Sequence, residues 1–488
     1  MSDMPAVGAR VLNFIDGHWL ESDSGRWNER RDPADQDVLV ASSPDSTASD
    51  ASRAIDAASA ALDGWSNMPP PDRGRLLFKW LRWVDERRDR LAIMLTSEEG
   101  KTLTEATGEV GRAIDILEFT AGMGRRIDGS VYPPEDQNVF CYSIRQPLGV
   151  VALISPWNFP VAIPIWKLAP ALIAGNTVVL KPSPLTPLCA TALVGGLEEV
   201  GIPKGVVNLV HGDSGPGVEL TANPKVHGVS FTGSTKVGKM VARAASERLL
   251  KVQLELGGKN PQVILEDADL DLACAGAFAG AFGSTGQRCT ATSRAIVIGG
   301  IYDKFVDEMV RRASALKIGG GLTPGVEMGP LVDSRAVNTV TQYLEGGRED
   351  GAKFLTGGGR MSGAGYERGF FCSPSIIEGS LDMRISREEV FGPVMSVFKA
   401  RDLDEAIDIA NRVTYGLTAS IYTRDVRRVF RFANQAQVGM VYVNRPGVGG
   451  YSHAPFGGIK DSGYGGREVG PEAMNFYTET KMVYVNYQ

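Results

Sequence analysis

The sequence predicts an α/β protein built on parallel sheet, and three observations carry that reading. Between residues 149 and 254, short unbroken apolar runs alternate with segments of helical spacing. Such runs mark strands buried on both faces, as in a parallel sheet with helices packed on either side. A second alternation of the same kind starts at residue 262 and continues through 441–444. The chain of 488 residues is also too long for one ordinary core, so two or three domains are expected.

Taken in order, residues 11–15 and 18–20 form a short strand pair turned at Asp16-Gly17, followed up to about residue 50 by a polar loop. From Ser49 to about Thr120 the pattern is helical: an Ala-rich segment 51–65, a helix over 73–90, and 93–119 continuing after Gly100. Residues 125–146 turn to β-type content. The alternation then places strands at 149–154, 177–181, 206–210, 226–231 and 251–254, with helices at 163–174, 188–200, 216–221 and 235–248. The second run offers strand 262–265, helix 270–282, strand 295–298 and helix 302–316. Gly-rich patches at 319–321, 357–365 and 447–450 read as turns. The tail 476–487 alternates as an edge strand does. Such an edge needs cover, and pairing with another subunit is one way to get it.

Composition narrows the function classes. A net charge of −6 leaves no basic footprint for nucleic acid or an anionic membrane. The most apolar stretch, 161–180, is interrupted by Lys167, Asn176 and two prolines, so it reads as a buried helix and strand rather than a membrane span. Residues 1–10 lack the charge-then-apolar pattern of a secretory leader, and none is expected. The five cysteines are odd in number and contain no CxxC pair, and the four histidines are scattered. This argues against a disulfide framework or a metal site, and for the reducing cytoplasm.

Several segments offer chemistry. Cys289 lies in Gly-Gln-Arg-Cys-Thr, beside Arg288, whose charge is expected to lower the thiol pKa and favour the thiolate. Asn158, between two prolines in Ile-Ser-Pro-Trp-Asn-Phe-Pro, is either a rigid donor to an oxyanion or an ordinary turn residue. Phe-Thr-Gly-Ser-Thr-Lys-Val-Gly at 231–238 joins a strand to a helix. It is either a phosphate cradle using Gly233 and Ser234 or a simple N-cap. With Lys239 it nearly spells a Walker A loop, but Met240 stands where a Mg²⁺-binding hydroxyl is required. Glu255 ends an apolar strand before two glycines; it is a general base of raised pKa or the partner of Lys259. Glu-Glu-Val-Phe-Gly-Pro-Val at 388–394 presents a carboxylate to a ribose and a ring to a flat ligand, or is a loop with one core Phe.

The ordered set Trp157-Asn158-Phe159-Pro160, Lys181-Pro182-Ser183, Phe231-Thr232-Gly233-Ser234, Glu255-Leu256-Gly257-Gly258-Lys259, Gly286-Gln287-Arg288-Cys289, Glu389-Val390-Phe391-Gly392-Pro393 and Pro455-Phe456-Gly457-Gly458 resembles the NAD(P)-dependent aldehyde dehydrogenase superfamily over nearly the whole chain. The resemblance implies a Rossmann-like parallel-sheet cofactor domain (1–124 and 148–257), an α/β catalytic domain (258–460) and a small β oligomerisation flap (125–147 and 477–488), in a homodimer or homotetramer. It further implies Cys289 as nucleophile, Asn158 and the Cys289 N–H as oxyanion donors, and Glu255 as the base for deacylation. Trp157, Lys181, Ser183, Pro184, Gly233, Ser234, Glu389 and Phe391 would meet NAD or NADP, and Glu468 matches a proton-relay position.

For the small-molecule aldehyde, the resemblance points to Ile163, Trp166 and Phe456 along the tunnel. Arg288 and Arg112 resemble arginines that hold phosphate in the non-phosphorylating glyceraldehyde-3-phosphate dehydrogenase branch. Residues 283–294 resemble the α-ketoglutaric semialdehyde dehydrogenase branch. An anionic small aldehyde is therefore expected, with structural ion pairs as the other reading of the two arginines. Pro184 replaces a Glu common in NAD-preferring relatives, so NADP use is expected alongside NAD. A general aliphatic or aromatic aldehyde dehydrogenase, a P-loop phosphotransferase, a non-catalytic member of the fold and a CoA-acylating dehydrogenase are the competing functions; Met240 speaks against the phosphotransferase and Glu255 against the CoA-acylating enzyme.

Overall fold

The computed structural model describes residues 4–488. Near the N-terminus, Asn13–Ile15 and His18–Leu20 pair through the Asp16-Gly17 turn, both of whose residues have positive φ. The expected polar loop after them is instead two strands, Trp27–Asp32 and Asp35–Pro44, paired antiparallel, with Ala9–Arg10 on the outer edge. Their half-exposed polar residues hide the apolar alternation that betrays most strands.

Four helices follow: α1 (Ala48–Ser66), α2 (Pro70–Glu86), α3 (Arg88–Glu99) and α4 (Leu103–Gly122). The single helix expected over 73–90 is thus two, broken at Arg87. Gly100 ends α3 in the left-handed region at φ 102°, where a side chain would be strained. Thr102 and Glu105 then open α4 with a reciprocal capping box.

The alternation that follows builds a sheet of eight strands. Its spatial order is Gly463–Tyr464, Lys251–Glu255, Gly228–Thr232, Val150–Ile154, Thr177–Lys181, Val207–Leu209, Asn13–Ile15 and His18–Leu20. The five central strands run parallel and are buried almost throughout. Between them pass α5 (Ala162–Ala174), α6 (Pro187–Glu199), α7 (Ser214–Ala222) and α8 (Thr235–Ser246). Gly463–Tyr464 comes from outside both ranges expected for this unit and extends its edge antiparallel.

A second, seven-stranded sheet has the order Phe354–Thr356, Ser375–Glu378, Val394–Ala400, Thr292–Ile298, Asn260–Ile264, Thr418–Tyr422 and Met440–Val443. Only its first strand is antiparallel. Helix α9 (Leu270–Phe282) leads into the loop of Cys289. The tail strand Thr478–Asn486 pairs antiparallel with Val139–Pro147, which also pairs with Val131–Tyr132. This small sheet exposes Val131, Phe140 and Tyr484.

Ligands of parallel sheets bind beyond the carboxyl ends of the strands. Here those ends carry Asn158, Lys181, Gly233 and Glu255, each just after or at the end of a strand of the first sheet.

Candidate active site

A cavity of about 250 Å³ is lined by Asn158, Ile163, Ser234, Cys289, Glu389 and Phe391, among others. Residues from four separate stretches of the sequence, between Asn158 and Phe391, thus meet because both sheets present loops to one place.

The loop before Cys289 is strained. Ser284 and Thr285 sit at φ 49° and 57°, in the left-handed region that β-carbons disfavour, followed by Gly286 at φ 70°. Three contacts hold it. Ser284 N–H donates to Glu105 Oε1 at 2.5 Å, the Thr285 hydroxyl donates to Gly329 O at 3.0 Å, and Arg288 donates through Nε and Nη2 to Ser284 Oγ at 3.0 and 2.9 Å.

This corrects two expectations for Arg288. Its guanidinium is taken up by Ser284 and by Glu105, 3.4 Å away, so it is a structural cation rather than a free anchor for substrate. Nor does it activate the thiol. Burial pushes Cys289 up to about 12, and the nearby carboxylates of Glu389 and Glu255 push the same way.

Asn158 is buried between that loop and α5. Its Nδ2 donates to Gln287 O at 3.0 Å, and its own carbonyl accepts from Lys101 Nζ at 2.7 Å. One amide hydrogen of Asn158 remains for another acceptor.

Glu255 is buried, and neither carboxylate oxygen has a hydrogen-bond partner. Burial raises its pKa well above the usual range, the charge of Glu468 adds to this, and Lys167, Arg467 and the nearby Gly458 N–H, which is too poorly placed to count as a full hydrogen bond, oppose it. The pairing with Lys259 does not form; Lys259 Nζ donates to Ile385 O at 2.7 Å. Glu468 is ion-paired with Lys167 of α5, which also donates to Ser230 Oγ at 2.7 Å. In the sequence, the one mark of Lys167 is that it is a lone Lys in the apolar helix Ile-Pro-Ile-Trp-Lys-Leu.

On the other side of the cavity the features suit a dinucleotide. Ser234 caps α8, its Oγ accepting from Val237 N–H at 3.4 Å, so the free amides and dipole of that helix face the site. The buried Thr232 hydroxyl has no partner. Glu389 accepts from Gly258 N–H at 2.9 Å and is pushed up to about 7, chiefly by burial. A β-carbon on Gly257 would stand 2.3 Å from Glu389 Oε2, so only glycine permits this approach. Phe391 meets Trp157 edge-on, with ring centroids 5.4 Å apart. Lys181 is buried, donates to Pro182 O at 3.1 Å, and is lowered to about 8 by burial, against the pull of Asp213. Ser183 Oγ accepts from Leu185 N–H at 3.2 Å, leaving its own hydrogen free, and Pro184 beside it is half-buried.

At the substrate end, Trp166 packs on Phe456 at 5.3 Å, and the Trp166 indole N–H is unpartnered. Arg112 of α4 is half-buried and forms no ion pair among the described residues. Burial lowers its pKa, while Asp115 and Tyr442 raise it. Tyr442 lies within electrostatic range of both Arg112 and the Cys289 thiol. Among the described residues no cluster of His, Cys, Asp and Glu suits a metal, and no helix is long and apolar enough to cross a membrane.

A model of the Aldehyde dehydrogenase family matches residues 19–483. The chain belongs to the aldehyde dehydrogenase family. It is 43% identical over 476 residues to the alpha-ketoglutaric semialdehyde dehydrogenase of Bacillus subtilis, covering 97% of this chain and 98% of that one. It is 40% identical over 475 residues to the succinate-semialdehyde dehydrogenase [NADP(+)] of Escherichia coli, covering 97% of each. A betaine aldehyde dehydrogenase point mutant from Staphylococcus aureus, solved in complex with NAD⁺, superposes with a TM-score of 0.95 at 34% identity, covering 97% of this chain and 96% of that one. As an aldehyde dehydrogenase, the protein is an NAD(P)-dependent oxidoreductase that converts an aldehyde to a carboxylic acid. Its parallel sheets and interleaved helices are those of the Rossmann-like family fold.

Proposed function

We propose that Cys289 attacks a small anionic semialdehyde, that Asn158 and the Cys289 N–H hold the developing oxyanion, and that Glu255 drives hydrolysis. The carrying observation is one cavity joining Cys289 to Asn158 and Glu389, with a buried, unpartnered Glu255 within electrostatic reach of the sulfur. The thiolate adds to the carbonyl carbon, and the oxygen's new charge meets preorganised donors. A nicotinamide cofactor held at the Glu389, Phe391 and Ser234 end would supply the acceptor for the hydride leaving that carbon. Glu255 then takes a proton from water, the hydroxide attacks the thioester, and the acid departs as the Cys289 thiolate is restored. Glu389 would hold the nicotinamide ribose, Phe391 and Trp157 would pack near that end, Ser234 and the start of α8 would take the pyrophosphate, and Lys181 with Ser183 the adenosine ribose. Glu468, paired with Lys167, stands ready to relay a proton from Glu255.

The anionic group is assigned to Arg112, with Ile163, Trp166 and Phe456 as apolar walls. Arg112 has no ion-pair partner to surrender, unlike Arg288, and two relatives carry semialdehyde names. The test is kcat/KM for α-ketoglutaric and succinic semialdehydes against hexanal and benzaldehyde, in wild type and Arg112→Leu. Loss of a charge-assisted contact should cost the semialdehydes about ten- to a hundredfold and leave the neutral aldehydes unchanged. Wild type that prefers the neutral aldehydes would end this reading.

NADP should serve at least as well as NAD, because Pro184 neither bonds a 2′-hydroxyl nor repels a 2′-phosphate. The E. coli relative is named for NADP⁺. Asp213, close enough to pull on Lys181, works against this preference. Pro184→Glu should tilt kcat/KM toward NAD by about tenfold. A strong NAD preference in wild type, unmoved by the substitution, would shift attention to Asp213.

We assign cofactor binding to 1–124 and 148–257, catalysis to 258–460 and assembly to 125–147 and 477–488, the ranges expected from sequence. The exposed Val131, Phe140 and Tyr484 of the small sheet support a homodimer or homotetramer, and the unpaired cysteines a cytoplasmic location. Sedimentation of wild type and a Tyr484→Asp variant tests the assembly.

A further inference from the structure

Helix α4 touches both halves of the catalytic apparatus with one face. Glu105, Glu109 and Arg112 follow at helical spacing, so they line one side. Glu105 accepts from Ser284 N–H in the strained turn before Cys289. One turn later, Glu109 is buried. Its Oε1 accepts from Val161 and Ala162 N–H at 2.9 and 3.1 Å, where α5 starts directly after the Asn158 segment. Its Oε2 accepts from Lys101 Nζ at 2.8 Å. Lys101, also buried, sends a second bond at 2.7 Å to the carbonyl oxygen of Asn158 itself, and lies 4.1 Å over the Phe159 ring.

We propose that Lys101 and Glu109 are positioning residues that hold the Asn158 amide in register with the Cys289 loop. Burying an ion pair stabilises a fold only weakly and is strongly directional, so its worth here lies in geometry. Glu105 and Glu109 belong to one rigid element, so Glu105 ties the nucleophile loop to the same frame. Lys101 stays charged in its buried place: burial works against the ammonium, and Glu109 and Glu99 more than offset this, raising its pKa. Neither Lys101 nor Glu109 hydrogen-bonds or ion-pairs with a proposed cofactor residue, so their loss should slow acylation without weakening cofactor binding.

The inference rests on Asn158 being the oxyanion donor, and a double-mutant cycle separates the two. Single-turnover NAD(P)H formation, KM for one aldehyde and the cofactor Kd are measured for wild type, Lys101→Met, Asn158→Ala and the double variant. Because a displacement of about 1 Å in a reacting group can cost a hundredfold, Lys101→Met should slow acylation by about ten- to a hundredfold with cofactor Kd unchanged. In the Asn158→Ala background the same substitution should change the rate by less than about twofold, the scatter expected of uncoupled sites. Equal losses in both backgrounds, or a loss that tracks cofactor Kd, would overturn the positioning role. If Asn158→Ala alone leaves acylation unchanged, the oxyanion reading falls and this one falls with it. Should Lys101→Met not fold, Glu109→Gln decides by the same cycle, because the amide fills the same volume.

Discussion

Glu109 and Glu255 are both buried carboxylates that serve one cavity, and the fold treats them in opposite ways. Glu109 receives an ammonium and two backbone amides. Glu255 has no well-formed hydrogen bond at either oxygen, with only the Gly458 N–H nearby. A buried acceptor with all its partners cannot take a new one without losing an old one, which suits a strut. A buried acceptor with none carries an uncompensated desolvation cost, and that leaves it open to water and to a proton. On the proposed mechanism, the contrast separates the parts of this site that hold geometry from the part that would exchange protons.

The severest way to break the contrast is to remove the sulfur that both sides serve. Cys289→Ala should lower oxidation by more than about a thousandfold while cofactor binding, followed by fluorescence, stays intact. Substantial NAD(P)H formation by that variant would leave the two carboxylates without a common purpose. Next in size, Glu255→Gln should keep a burst of NAD(P)H and slow the steady state by about a hundredfold or more. Since burial raises the Glu255 pKa, wild-type deacylation should climb as pH rises through that raised value. The Gln variant should lose that climb. A variant showing neither burst nor slowing removes Glu255 from the base role.

Stability sharpens the same comparison from another side. Glu109→Leu strands Lys101 in the interior and should destabilise by about 3–5 kcal/mol. Glu255→Leu removes an unsatisfied group and should be neutral or stabilising by about 1 kcal/mol. Thermal unfolding of the two variants side by side reads the difference, and equal losses would show that the two carboxylates are not treated differently. The smallest effect concerns the thiol. With Cys289 pushed up to about 12, its alkylation by iodoacetamide in the cofactor-free enzyme should rise roughly tenfold per pH unit between pH 6 and 9. A plateau reached by pH 8 would mean a depressed thiol and would return Arg288 to an activating role.

Much of this was legible before any coordinates. The unbroken apolar runs located the central strands, since burial on both faces leaves that mark on consecutive residues. The break of the predicted 73–90 helix at Arg87 was missed, because neither glycine nor proline marks it. The strands Trp27–Asp32 and Asp35–Pro44 were missed because one pairs with the other on a half-exposed surface and carries polar residues. Cys289, Asn158 and Glu255 stood out through their motifs. Lys101, Glu105 and Glu109 did not, because charged residues in a helical pattern are normally read as solvent-facing.

By itself the sequence determined the periodicities, the turns and the order of the motifs, all of which depend on neighbours along the chain. The charge environment of each site residue was decided by tertiary structure. Lys101 reaches its acceptor across 57 positions and Lys167 its carboxylate across 301. Arg288, adjacent in sequence to Cys289, turns to Glu105 and leaves the thiol raised. Electrostatic effects follow distance in space and local burial, and one chain neighbour reports on neither.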